Sequence, residues 1–382
     1  MTTAHHPLAI VGGGLGGLTL ARVLHVNGID APVFDLDTAA TDRAQGGMLD
    51  IHDDTGQQAL RLARLHEQFL ARVHPGGQAL RVLDKHATVV HEEADEPHGA
   101  RPEIDRGDLR GLLLDSLPEG TVRWGAKATG ARALGEGRHE VTLADGSAFT
   151  TDLLVGADGA WSRIRPLLTD ARPAYSGISF VELDLEDADA RHPEAAALIG
   201  GGMFFALGDD KALLAHRETD GSLHLYVALR AEEKWLETID FGDTTAARLA
   251  VLEHFADWDG ALRRLIADAD GALTPRWIHA LPAGLRWQSR PGVTLLGDAA
   301  HLMSPFAGEG ANLALFDGAE LARQLLAHPG DTSAGVHAYE EEMFARATEM
   351  AGESAESLDV IFHPQAPAPL VDMFRGLDGR ER

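Results

Sequence analysis

The segment Leu8-Ala9-Ile10-Val11-Gly12-Gly13-Gly14-Leu15-Gly16-Gly17 runs four apolar residues straight into a glycine cluster. A short apolar run bounded by turn residues suits a buried strand. Beyond the glycines, Leu20, Val23 and Leu24 recur at helical spacing up to Gly28, a residue suited to ending a helix. Residues 30–36 then read as a second strand that carries Asp35 near its end. In Gly12-x-Gly14-x-x-Gly17 the first glycine permits a tight turn and the second lets backbone approach a pyrophosphate; the third lets helix pack on strand. The helix N-terminus would hold the pyrophosphate. Asp35, 21 residues after Gly14, would accept hydrogen bonds from the ribose of an adenosine.

Composition narrows the setting. At 382 residues the chain is expected to form two or three folding units. Its 33 Lys+Arg against 59 Asp+Glu give a net charge of −26, which disfavours nucleic acid and anionic membrane surfaces as partners. With no cysteine there is neither a disulfide nor a thiolate metal site. The 19 histidines include no His-Glu-x-x-His, and no metal is expected. No window is apolar enough for a signal peptide or a membrane span, so a cytoplasmic monomer is the expectation.

Downstream, helices are expected at 55–65 and 105–117, with strands at 122–124, 140–143 and 151–155. Alternating or apolar runs at 180–185, 203–207, 212–216 and 223–229 suggest an antiparallel sheet. Helices at 244–256, 259–267, 312–327 and 334–361 precede a Pro-rich loop and a polar tail. Two further strand-to-glycine turns stand out, one ending in Asp158-Gly159 and one in Gly297-Asp298. An Asp at such a turn can bind a ribityl chain. The second turn leads through Pro305 to Gly308 and Gly310, whose N–H groups would face the electron-rich edge of a reduced flavin. In this order the three turns point to FAD. A short-chain dehydrogenase is excluded, because Tyr175, Tyr226 and Tyr339 have Ser179, Arg230 and Met343 four residues on, where that class has Lys.

With these motifs, and with Gly46-Gly47-Met48-Leu49-Asp50-Ile51-His52 and Glu103-Ile104-Asp105-Arg106-Gly107-Asp108-Leu109-Arg110, the sequence resembles the class A flavin aromatic hydroxylases of the para-hydroxybenzoate hydroxylase fold. It is most similar to their tetracycline-inactivating branch, and the resemblance extends from Leu8 to about Pro364. It implies an α/β fold: a Rossmann-like FAD-binding domain, a substrate domain with a mixed or antiparallel sheet, and a long C-terminal helix. The FAD domain would be discontinuous (1–74, 100–172, 284–330), with a substrate domain at 75–99 and 173–283, a bridging helix at 331–365 and a tail at 366–382. Non-covalent FAD would contact Leu15, Leu36, Gly47, Asp50, Arg106, Arg110 and Ala311 as well as the motif residues. Asp158 would lie where flavin and pyridine nucleotide are both bound.

The family usually has Glu-Arg where this chain has Asp35-Leu36, so a contact to the adenine is lost. Substrate contacts are implied at Glu182, Lys211 and His224, where the tetracycline branch has Gln, Arg and the same His. The apolar stretch Met203-Phe204-Phe205 reads first as sheet core, with Phe204 also a candidate wall for an aromatic substrate, and Leu213, Phe306 and Ile361 complete the expected pocket. The function implied is a monooxygenase in which NADPH or NADH reduces FAD and O₂ adds to form a C4a-hydroperoxide. One oxygen would then pass to a polycyclic, oxygen-rich aromatic polyketide or tetracycline-like molecule, a chemistry tied to antibiotic resistance or polyketide modification. No side chain is required as a catalytic nucleophile. The glycines at 46–47 and 308–310 could permit flavin movement. A non-catalytic flavoprotein that sequesters such a ligand remains the alternative.

Overall fold

The computed structural model describes residues 4–42, 47–74, 79–94 and 101–378. The chain divides into two compact units. One comprises Met1–Val73, Ile104–Ala174 and His279–Ser354; the other comprises His74–Glu103, Tyr175–Ile278 and Ala355–Arg382. Among the described residues no helix is long and apolar enough to cross a membrane.

The first unit is built on a seven-stranded sheet. Strand Ala4–Val11 lies between Val33–Phe34 and Ala148–Gly156, parallel to both, and Val122–Arg123 extends the sheet beyond Val33–Phe34. The far edge of Ala148–Gly156 is shared: its first half pairs antiparallel with Arg138–Leu143, and its last three residues pair parallel with Val293–Leu295. Leu8 to Val11 are buried because helices cover a parallel sheet on both faces. Helix Leu15–Val26 crosses helix Glu309–Ala327 at two glycines. A Cβ on Gly318 would lie 2.3 Å from the Gly16 carbonyl oxygen, so any larger residue there would force the helices apart.

The second unit carries a seven-stranded sheet in the order Asp270–Ala280, Ala174–Leu185, Leu223–Arg230, Lys211–Arg217, Met203–Gly208, Leu80–Asp84, Val89–Glu93. From Ala174–Leu185 to Val89–Glu93 its pairings are antiparallel, except for the parallel junction of Met203–Gly208 with Leu80–Asp84. The pleat gives this sheet two unlike faces. Val181, Leu183, Phe204, Leu213, Leu225 and Val227 share one face and pack against Val251, Phe255, Leu262 and Ile266 of helices Thr244–Glu253 and Gly260–Ala267 and the turn between them. Glu182, Phe205, Leu214, His224 and Tyr226 take the alternate positions and are half-buried.

Several boundaries differ from the sequence expectation. The strand expected at 30–36 is regular only at Val33–Phe34, where it pairs with Ile10–Val11, although Pro32 and Asp35 beside it also hydrogen-bond to neighbouring strands. The helix expected at 55–65 ends at Leu62 (Gly56–Leu62), and a separate helix, His66–Leu70, follows after Arg64 at positive φ. Strands Ala128–Gly135 and Asp270–Ala280 were not anticipated, and the expected polar tail contains helix Ala368–Asp378. That helix is amphipathic: Leu370 and Val371 are buried, and Phe374 meets His91 and Phe205. The long helix is continuous over Thr332–Ile361; its residues to Ser354 belong to the first unit and the rest to the second.

Candidate functional site

The glycine loop divides its work between fold and ligand. Gly12 has φ +114°, and a Cβ there would lie 2.1 Å from the Ala157 carbonyl oxygen. A Cβ on Gly17 would lie equally close to the Gly12 carbonyl, so both glycines are consumed by packing. Gly14 differs, since nothing stands within 4 Å of its Cβ position. It caps helix Leu15–Val26 with no side-chain cap and no acid in the first turn, while Leu15 itself is buried. The helix therefore presents unspent N–H groups and a positive dipole end beside open space, which is what a phosphate requires.

Asp35 is buried and accepts hydrogen bonds from the N–H groups of Gly13 and Asp37. It thus holds the loop from behind. Leu36 beside it is 52% exposed. Arg110, expected on the cofactor, is buried and turned into the protein: Nε donates to the Gly13 carbonyl at 3.2 Å and an η-nitrogen to the Ala40 carbonyl at 2.8 Å. Its guanidinium also lies over the Trp124 ring and 3.5 Å from buried Asp37.

The two later turns are tied together by a residue that sequence reading missed. Asp158 accepts from Ser162 Oγ and from the Arg163 N–H, both at 2.6 Å, closing its own turn. Burial pushes its carboxyl up against these hydrogen bonds and the charge of Arg165. Buried Arg165 donates to the carbonyls of Ala160, Asp298 and Ala299 at 2.8–3.1 Å, bridging the Asp158 turn to the Gly297-Asp298 turn. Asp298 opens the short helix Asp298–His301, is reached by solvent, and its carboxylate accepts no hydrogen bond among the described residues. Desolvation by surrounding protein raises its carboxyl, opposed by His301, Arg106 and Arg165. Arg106 is thus brought electrostatically close to Asp298, while its N–H donates to the Gly47 carbonyl.

Behind this turn Asp317 accepts from the Gly297 N–H and from Arg346, and pairs with His301. Burial opposes both charges of the His301–Asp317 pair, yet mutual attraction prevails and raises the histidine while lowering the aspartate. Neither Asp317 nor Arg346 was singled out from sequence, because their partners lie 16 to 29 residues away.

At the third cluster Gly308, at φ +69°, caps helix Glu309–Ala327 after the exposed Pro305 and half-buried Phe306. A Cβ on Gly308 would meet Asp50, and Gly310 has open space at its Cβ position, with Ala311 half-buried next to it. Gly47 is at φ +99°; Gly46, expected to hinge with it, lies outside the described residues. His52 is buried between Asp50 and Glu309, with Nε2 2.8 Å from the first and Nδ1 3.0 Å from the second.

In the second unit the expected substrate residues separate. Glu182 and His224 share one face of the sheet; Phe204, Lys211 and Leu213 lie on the other, helix-packed face. Phe204 and Leu213 are fully buried there, and Lys211 donates to the His254 carbonyl at 2.7 Å. Phe204 and Leu213 are therefore core, and Lys211 points to the helices rather than to the face that carries Glu182 and His224. Ile361 is buried at the end of the long helix. The half-buried face gathers residues not anticipated: Tyr226 stands edge-on to His224 at 4.7 Å and tilted to Phe180 at 5.5 Å, and His216 lies within 6.0 Å of both His224 and Tyr226. Asp184 binds His224 Nδ1 at 2.6 Å; burial works against the imidazolium, but Asp184, with Glu182 and Glu218, raises it. Arg276 neutralises Glu182 at 3.0 Å.

The family model described as FAD binding domain matches residues 5–354. The monooxygenase penA of Penicillium thymicola is 32% identical over 371 residues, covering 85% of each chain. The 3-amino-4-hydroxybenzoate 2-monooxygenase PtnB3 of Streptomyces platensis is 30% identical over 375 residues, covering 96% of this chain and 91% of that protein. Among solved structures, HpxO of Klebsiella pneumoniae with FAD and uric acid superposes with a TM-score of 0.79 at 21% identity, over 99% of this chain and 93% of that one. Tetracycline destructase Tet(51) gives 0.71 at 18% identity, over 97% of this chain and 94% of that one; both likenesses speak to fold alone. Three turns shaped for a dinucleotide, a family match over nearly the whole chain and monooxygenase relatives across its length lead to one assignment: the chain belongs to the FAD binding domain family and is an FAD-dependent monooxygenase.

Proposed function

We propose that the enzyme hydroxylates a polycyclic, oxygen-rich small molecule, with NADPH or NADH as reductant and O₂ as oxygen donor. One observation carries the substrate reading: half-buried Tyr226 and His224 stand on one sheet face beside buried Phe180 and His216, setting aromatic rings among charge-paired polar groups. Aromatic faces suit a flat ring system, and the His224 imidazole, whose protonated form Asp184 favours against burial, suits a phenolate or enolate oxygen. The relative from Streptomyces platensis, whose name places its action on a hydroxylated aromatic ring, supports an electron-rich ring carbon as the acceptor.

For the cofactor, the N–H groups after Gly14 would hold the pyrophosphate and Asp35 the adenosine ribose. Asp298 and Arg106 would hold the ribityl chain, and Gly308 to Gly310 the flavin's pyrimidine edge. Bound FAD supplies reduction by the nicotinamide and activation of oxygen. Side chains of this protein bind, orient and exclude water; none serves as a nucleophile. His224 would orient the substrate oxygen and favour its ionised form, which enriches the ring carbon to be attacked.

The test is a panel of polycyclic phenols and tetracyclines with purified, yellow protein. A substrate is expected to stimulate NAD(P)H oxidation together with oxygen uptake. If no polycycle stimulates while single-ring phenols do, the polycyclic reading fails.

A further inference from the structure

The His52 cluster does work that neither the glycine motifs nor the substrate wall explains. Asp50 ends strand Met48–Asp50, and Glu309 is the first residue of a helix that starts 259 residues later. The His52 ring lies between them with one nitrogen on each carboxylate, at 2.8 and 3.0 Å, and its side chain is 7% exposed. Asn312 doubles the connection: it accepts from the His52 N–H at 3.0 Å and donates to the Asp50 carbonyl at 2.9 Å and to the Gly308 carbonyl at 3.4 Å. The segment after Gly47 and the turn at Gly308 are therefore bound into one body rather than free to hinge separately. With both ring nitrogens facing carboxylates, only the doubly protonated ring can donate twice. Burial works against that charge, but the hydrogen bonds and charges of Asp50 and Glu309 overcome it, and the imidazole is raised to about 9.

We propose that Asp50, His52 and Glu309 form a charged latch at the flavin end of the FAD site, in which His52 is a positioning residue that joins the two loops and cancels one of their two carboxylate charges. The proposal rests on the reading that Gly308 to Gly310 hold the flavin. The latch carries one net negative charge. Without the imidazolium it would carry two, and a reduced flavin, itself anionic at its pyrimidine edge, would bind less well than the oxidised form. Removing either acid leaves no net charge and has the opposite effect.

The experiment measures the flavin midpoint potential of purified holoenzyme by dye equilibration at pH 6, where His52 stays protonated, for wild type, His52→Gln, Glu309→Gln and Asp50→Asn, with FAD stoichiometry determined alongside. His52→Gln is expected to lower the potential, and both acid variants to raise it. Each would change the ratio of oxidised to reduced FAD affinity about three- to tenfold, where tenfold corresponds to about 30 mV for a two-electron couple. A purely structural cluster would move all three variants the same way or not at all. Stoichiometric FAD with potentials unmoved, or displaced in one common direction, overturns the latch and leaves the FAD site standing. Wild-type protein that retains no flavin overturns both. If His52→Gln does not fold, a rise in both acid variants still supports the latch, and no rise overturns it.

Discussion

The glycine loop at residues 12–17 and the sheet wall at residues 180–230 solve opposite problems. The loop offers backbone: its glycines are needed because Cβ atoms at Gly12 and Gly17 would sit 2.1 Å from carbonyl oxygens, and because Gly14 must stay open. The wall offers side chains, and the pleat decides which of them it offers. Phe204 and Phe205 are neighbours in sequence, yet one is core against the helices and the other is half-buried on the opposite face. A backbone-made site is therefore written in glycine spacing, whereas a side-chain-made wall depends on parity that a shift of one residue reverses.

That contrast can be tested from its largest consequence downward. Phe204→Ala should cost about 3–5 kcal/mol of stability, the usual range for a buried phenylalanine. Phe205→Ala should cost less, and urea midpoints for the two variants check the face assignment. Equal losses would break it. For the loop, Gly14→Val should keep apoprotein stability near wild type but weaken FAD at least a hundredfold by fluorescence titration. Normal affinity would remove the open position from the cofactor site.

The His52 latch should also show in the pH dependence of apoprotein stability. A histidine raised to about 9 from an ordinary 6.5 stabilises the fold fully below pH about 6.5. That contribution is lost as pH rises towards 9, and it amounts to at most about 3 kcal/mol. His52→Gln should flatten the slope over this window, and an unchanged slope would assign it to other groups. On the wall, Glu182→Gln should change substrate preference by about 1 kcal/mol, or roughly fivefold in KM, with flavin content intact. Lys211→Gln should leave KM unchanged, since Lys211 faces the helices. The smallest effect is expected at Leu36→Arg. Restoring a cation at this exposed site beside the loop should tighten FAD by about 0.5–1 kcal/mol.

Much of the first unit was legible in the sequence. Val11-Gly12, Asp158-Gly159 and Gly297-Asp298 mark strand ends by local chemistry, and each falls just past or at the end of a strand in the parallel part of one sheet. What joins those turns was not legible. Arg165 reaches the Asp298 and Ala299 carbonyls across more than 130 residues, and Asn312 reaches the Asp50 carbonyl across 262. No spacing rule encodes such contacts. In the second unit Glu182 and Asp184 among Val181, Leu183 and Leu185 disclose the pleat of their strand, so Glu182 could be faced correctly. Ala212-Leu213-Leu214-Ala215 is apolar throughout, because Leu214 on the far face is also half-buried, and its parity could not be read. Strand Ala128–Gly135 escaped notice for a related reason: at its sheet edge it is mostly exposed and shows no apolar alternation.

The central claim is that this protein transfers one atom of molecular oxygen to a polycyclic ring. The most direct measurement supplies purified holoenzyme with NAD(P)H, a stimulating polycycle and heavy-isotope O₂, and reads the product by mass spectrometry. The expected product carries one heavy oxygen, and His224→Ala lowers its yield without loss of FAD. Product oxygen drawn from water, or NAD(P)H consumed with no labelled product from any polycycle, would contradict the claim.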